Sequence, residues 1–202
     1  MKKILSILFF STPLLACAAG NSSYKSAAIL EHISTITSDK GNRTDRQYWR
    51  GLLKWDNECE SSFQYPEYVS GIKIYTENEK KYIIRVTCTV GAYQGYQQFY
   101  HLSLDGDETM VKALVFPLYE ESKKKAVIKE MSAEVWGNVL NNSNYKNLTV
   151  LNQYSGYGNC GTLTTYKIID GKVTATKFRT EPDCESSKAS RDPERWPEYP
   201  IP

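Results

Sequence analysis

Few side chains of this sequence are equipped for acid–base, metal or phosphate chemistry. It has two histidines, His32 and His101, in quite different parts of the chain. A histidine base needs an orienting partner and a nearby nucleophile, and neither stands beside either residue in sequence. Next to Phe99 and Ser103 on an alternating segment, His101 reads as an outward surface histidine. Asp105-Gly106-Asp107-Glu108 has a superficial likeness to a calcium loop but lacks its spacing, and Asp-Gly between two strands reads as a hairpin turn. No phosphate loop, serine elbow or dinucleotide fingerprint occurs. The expectation is no catalytic residue, no metal site and no cofactor.

Cysteine and tyrosine carry what chemistry remains. There are five cysteines, Cys17, Cys59, Cys88, Cys160 and Cys184. Cys17 stands at the end of an N-terminal segment with the order of a secretory signal: basic Lys2-Lys3, an apolar run from Ile4 to Leu15, then small residues. That run is too short for a permanent membrane span. Leu14-Leu15-Ala16-Cys17 resembles a lipobox, which makes Cys17 a candidate lipidation site; the other reading is plain cleavage after Ala18. Either way the chain is expected to work in an oxidising compartment, exported to the periplasm as a soluble protein or a lipoprotein.

The other four cysteines allow three pairings. Local geometry favours one. Asp170-Gly171 is a two-residue hairpin signal between Thr162–Ile169 and Lys172–Thr180. With Ile169 opposite Lys172 and Leu163 opposite Phe178, Cys160 and Cys184 fall just beyond the open end of the hairpin, leaving Cys59 for Cys88. Gly156-Tyr157-Gly158-Asn159-Cys160-Gly161 then reads as a tight turn delivering Cys160 to its partner.

Fifteen tyrosines are unusual for this length. Tyrosine presents a large apolar face with a polar tip and is suited to gripping protein or sugar, although it also simply suits half-exposed strands. Two groups are candidate binding surfaces: Tyr93, Gln94, Tyr96 and Tyr100, and Tyr154, Tyr157 and Asn159.

The elements that must position these residues follow from periodicity. Ile29, Ile33 and Ile36 recur at helical spacing. A second helix is expected from Thr44, with Thr44 and Gln47 as a capping box, ending near Asp56-Asn57 with Cys59 in the exit loop. From Gly71 the period becomes two. Tyr82, Ile84, Val86, Cys88 and Val90 alternate with polar residues as in a half-buried strand. Further strands are expected at 72–77, 96–104, 109–118, 126–130, 134–139 (which could instead be helical), 148–154, 162–169 and 172–180. The fold class is mainly β (α+β): an antiparallel sheet or sandwich with one or two N-terminal helices and two disulfides. The organisation is a signal peptide over 1–18, a tether and weak helix over 19–43, and a disulfide-bridged domain over 44–202. Removing Lys2 and Lys3 takes the basic count from 25 to 23, against 23 acidic residues, so nothing suggests a grip on nucleic acid.

Taken in order, several segments resemble an uncharacterised secreted bacterial family, domain of unknown function eleven-seventy-six. They are Trp55 to Cys59 with Phe63, then Cys88-Thr89-Val90-Gly91-Ala92-Tyr93-Gln94, then Ala113 to Phe116. The Gly-x-Gly-x-Cys-Gly motif ending at Gly161 follows, with Asp170-Gly171, Cys184 and Trp196-Pro197. The resemblance runs from about Trp49, with Gln94 where Asn is usual and Asn159 where Asp is usual. It implies a fold and a secreted address, and supplies no activity to carry over. The functional expectation is a non-catalytic envelope protein that binds a secreted or periplasmic protein partner, of inhibitor or immunity type. The alternative is a glycan or peptidoglycan-binding module. No nucleic acid is expected as partner, and the membrane only through a lipid anchor.

Overall fold

The structure, a computed structural model, describes residues 26–37, 41–91, 94–105, 108–140, 145–186 and 189–202. The export segment, Cys17 and Tyr93 lie outside the described residues. Three helices come first: α1 Ser26–Thr37, α2 Arg43–Leu53 and α3 Asn57–Ser61. The strands are β1 Ile72–Asn78, β2 Lys81–Val90, β3 Gly95–Asp105, β4 Glu108–Ala113, β5 Phe116–Ser122, β6 Lys125–Ser132, β7 Glu134–Trp136, β8 Asn138–Val139, β9 Leu148–Gln153, β10 Gly161–Ile169 and β11 Lys172–Glu181.

One antiparallel sheet runs β1-β2-β3-β4 with β7 also paired to β3; a second runs β11-β10-β9-β8; β5 and β6 form a hairpin. The architecture has three layers, because β3 is buried along nearly its whole length. Helix residues Ile29, Ile33, Ile36, Trp49 and Leu52 share one core with Ile84, Val86 and Cys88 of β2 and Tyr100 and Leu102 of β3. The alternate residues Ile83 and Phe99 enter a second core with Phe116, Val150, Tyr166 and Ile168. The period-two pattern is therefore real, but it separates two buried faces rather than a core face from a wet one.

The isoleucine stripe of α1 is buried as its spacing predicts. The start of α2 lies slightly earlier than expected: Asn42 is the N-cap, accepting from the Thr44 and Asp45 amides, while Asp45 reaches back to the Asn42 amide. Cys59 sits in α3 rather than in a loop, and Asp56 caps that helix through the Cys59 amide at 2.6 Å. The expected strand 109–118 is two strands. The chain leaves the first sheet after Ala113, Leu114 drops into the core, and Pro117, which has no N–H, lies in the separate hairpin. Lys123 and Lys124 lie between its two strands.

Both disulfides are as expected, Cys59–Cys88 and Cys160–Cys184. The β10–β11 register differs by one residue beyond a bulge: Ile169 faces Lys172, but Leu163 faces Arg179 rather than Phe178. The extra residue, Thr176, donates its hydroxyl to the Thr165 carbonyl at 3.2 Å. The proline-rich tail runs extended along β11, with Thr180 and Tyr199 amides donating to the Pro197 and Phe178 carbonyls and Trp196 buried. It covers an edge that would otherwise present unpaired backbone groups.

Candidate functional site: an aromatic cleft above a buried polar network

At its Gln94 end, strand β3 ties the two sheets together. Gln94 Oε1 accepts from the Gln153 amide at 3.0 Å, and the Gly137 amide donates to the Gly95 carbonyl at 2.8 Å. Gln97 Nε2 donates to the Gly137 carbonyl at 2.7 Å. These bonds hold Trp136, at the end of β7, opposite Tyr96 in the ladder. The two rings stack with centroids 5.2 Å apart and planes 17° apart, yet Trp136 remains 47% exposed.

Beside Trp136 opens a cleft of about 210 Å³ between the β5–β6 hairpin and the second sheet. Its walls include Tyr119, Trp136, Tyr154 and Tyr166, with Asn152 and Thr162 between them. Tyr154 is 51% exposed and hydrogen-bonds Thr162, while the buried Tyr166 donates its hydroxyl to the Pro117 carbonyl at 3.1 Å. Burial pushes the Tyr154 and Tyr166 phenols up, so both remain neutral donors. Lys129 and Glu130 line the same cleft from β6. Three residues past Tyr154, Tyr157 is 79% exposed, on the turn leading into the Cys160–Cys184 bridge. Asn159 fixes that turn: it accepts from the Ser155 hydroxyl at 3.0 Å and donates to the Cys184 carbonyl at 2.8 Å. Gly161 closes it at φ +146°, where a Cβ would run into the Asn152 carbonyl.

The sequence-derived groups are thus redistributed. Tyr154 and Tyr157 stand at the surface, and Asn159 serves the turn beneath them. Tyr96 and Tyr100 are 3% and 5% exposed and do not form an outer surface with Gln94, because helices cover the face of β3 on which they lie. Instead they build a polar network. The Tyr100 hydroxyl donates to Gln98 Oε1 at 2.6 Å; Gln98 Nε2 donates to Asp56 Oδ2 at 2.6 Å and to the Tyr96 oxygen at 2.9 Å. The Tyr96 hydroxyl donates in turn to Glu134 Oε1 at 3.4 Å. Burial pushes the Tyr96 phenol up to about 12, with the Asp56 and Glu134 carboxylates adding to the rise. Burial and the same Asp56 carboxylate also raise Tyr100. Burial alone would raise Asp56 too, but the Cys59 amide and Gln98 outweigh it and hold that carboxyl below its usual value.

Asp56→Asn tests this network. Asparagine still caps α3, but its amide nitrogen would face the Gln98 donor, and turning the Gln98 amide over would force the Tyr100 and Tyr96 hydroxyls to reverse their bonds to it. A loss of about 1–3 kcal/mol is expected by thermal or urea melting. A depressed carboxyl stabilises above its unfolded value of about 3.9 and loses that contribution as pH falls through the lower folded value. The wild-type melt should therefore drop below about pH 4 more steeply than that of the variant. Equal acid limbs would remove Asp56 from the network.

His101 is not the outward histidine its position in sequence suggests. It lies on the inter-sheet side of β3, its Nε2 3.0 Å from Glu77 Oε2, with the two side chains only 12% and 10% exposed. The β10–β11 turn covers its ring so closely that a Cβ on Gly171 would come within 3.0 Å. At the same turn Asp170 pairs with Lys81 at 2.6 Å. His32 stacks on Tyr48 with centroids 3.5 Å apart. Among the described residues no cluster of three or more histidine, cysteine, aspartate or glutamate side chains could hold a metal.

Trp136, Tyr119 and Asn152 are the residues sequence reasoning missed. Trp136 lies in a weak three-residue strand, and its one signal was a tryptophan set directly before a glycine. No protein-family model, curated protein or solved structure matches the chain.

Proposed function

We propose that this protein is an exported, non-catalytic binding protein that grips a secreted or periplasmic protein partner, of inhibitor or immunity type. Residues 1–18 are its export signal, Cys17 its candidate lipid-bearing residue, and the uncharacterised secreted family its proposed kin. The two disulfides fit an oxidising compartment of this kind. Among the described residues no helix is long and apolar enough to cross a membrane.

The observation that carries the reading is Tyr157, 79% exposed on a short turn fixed by a disulfide and by Asn159. A rigid aromatic loses little entropy when a partner closes over it, which is the property of interface hot spots. Tyr154 and Trp136 add large aromatic area on the neighbouring strands. The packing of His101 between Glu77 and the Gly171 turn supports a structural rather than a catalytic use of that ring.

The test is affinity capture from envelope and secreted fractions, with the oxidised mature domain as bait and a reduced, alkylated sample as control. One protein retained only by the oxidised bait is the expected result. Retention of the same protein by both samples, or of none by either, would defeat the reading.

A further inference from the structure

The recessed part of the aromatic face has chemistry of its own, distinct from the projecting Tyr157. About 210 Å³ is below the range of about 300–1,000 Å³ usual for drug-sized ligands. It suits one or two small rings. Four of its lining residues are aromatic, so part of any occupant must be apolar and flat enough to lie against a ring face.

A purely apolar occupant is excluded by what lies between those rings. Among the described residues, the side chains of Asn152, Lys129 and Glu130 make no hydrogen bond or ion pair with another residue, although all three line the cleft. Covering them without partners would cost the hydration of each. A simple anion or cation is excluded as well. Lys129 and Glu130 are adjacent and opposite in sign, so the cleft has no net charge to offer either. The occupant must therefore be neutral, with apolar faces and a rim of groups that both donate and accept.

We propose that this cleft is a saccharide-binding site. A pyranose has that division of surface: axial C–H faces to lie on Tyr154, and equatorial hydroxyls to meet the Asn152 amide, the Lys129 ammonium and the Glu130 carboxylate. Trp136, stacked on Tyr96 at 5.2 Å, stands at the rim of the cleft. The site shares Trp136 and Tyr154 with the proposed partner surface and is told apart from it by Asn152, Lys129 and Glu130; Tyr157 is not one of its lining residues.

The chain carries its own probe. Of four tryptophans, Trp49, Trp55 and Trp196 are 0%, 4% and 1% exposed, and Trp136 is 47% exposed. Quenching of intrinsic fluorescence by acrylamide therefore reports chiefly on Trp136 at the rim of the cleft. It should be measured with N-acetylglucosamine oligomers, with glucose oligomers, and with a zwitterionic tripeptide. The expected result is protection of Trp136 by at least one sugar series at millimolar concentration and none by the peptide. Asn152→Ala should weaken that protection by about tenfold, the loss of one net hydrogen bond. Lys129→Ala, on an exposed position, provides a second variant should Asn152→Ala fold poorly. Tyr157→Ala should leave sugar protection unchanged, whatever it does to partner capture. No protection by either sugar series, protection by the peptide alone, or sugar protection undiminished in folded Asn152→Ala and Lys129→Ala would each overturn the assignment.

Discussion

Arg46→Ala is expected to destabilise the domain by about 3–5 kcal/mol, the cost of removing one member of a buried charged pair. For a chain of this size that is a fall of roughly 6–20 °C in melting temperature. Arg46 lies in α2 with its side chain 0% exposed. Its Nε donates to Glu60 Oε2 at 2.9 Å, and its Nη1 donates to the Ser70 and Thr87 carbonyls, each at 3.1 Å. The guanidinium carbon lies 3.6 Å from the Phe63 ring centroid and 5.0 Å from that of Trp55. Trp55 in turn donates its indole N–H to the same Glu60 oxygen at 3.0 Å. Burial pulls the Arg46 pKa below its usual value and Glu60 pushes back, so the pair must be kept whole. Alanine would leave the Ser70 and Thr87 carbonyls without this donor and Glu60 with the Trp55 indole N–H alone. Arg46→Lys should fall between, because an ammonium cannot match the planar fork or lie as flat on Phe63. A loss under about 1 kcal/mol for the alanine variant would show that the helical layer is held by apolar packing alone.

The second large effect is expected at Cys59–Cys88. This bridge joins α3 to β2 across 29 residues of sequence, and both cysteines are fully buried. Replacing both by alanine should cost about 2–5 kcal/mol. Alanine is the better choice here, since serine would bury a hydroxyl in the same place. The Cys160–Cys184 bridge spans a similar 24 residues, but Cys184 is partly exposed. Thiol exchange needs access to a sulfur, so mild reductant followed by alkylation should label Cys160 and Cys184 first. Simultaneous labelling of all four cysteines would mean that the helical layer opens as readily as the Tyr157 turn.

Much of this fold is legible in the sequence because local rules and burial agree there. The Ile29, Ile33, Ile36 stripe, the alternation from Tyr82 to Cys88 and the Asp170-Gly171 turn each state one structure. The last of these was enough to pair the cysteines. The register error at Leu163 arose because a bulge adds one residue that no local pattern marks. Pro117 did mark the break in the segment 109–118, since a residue without an N–H seldom sits inside a central strand.

The site was harder to read for a physical reason. On β3 both faces are covered, so alternation cannot distinguish an outward tyrosine from one turned toward the helices. The sequence around Tyr96 and Tyr100 suits a surface; their burial follows from a helical layer that no local feature of β3 reports. Arg46 is the same lesson in reverse. Between Asp45 and Gln47 it looks like an ordinary solvated helix charge, and only Glu60, Ser70, Phe63 and Thr87, brought from four later segments, make it a core residue.

The most direct test of the central claim is capture with a bait carrying Trp136→Ala, Tyr154→Ala and Tyr157→Ala against the wild-type domain, both oxidised and both checked by melting. Tyr157 is 79% exposed and Tyr154 and Trp136 are half-exposed, so the triple variant should stay folded and lose chiefly the Trp136–Tyr96 stack, about 0.5–1.5 kcal/mol. One envelope or secreted protein should be retained by the wild type and lost from the variant. Equal retention by two folded baits would contradict it and move the binding surface elsewhere on the domain.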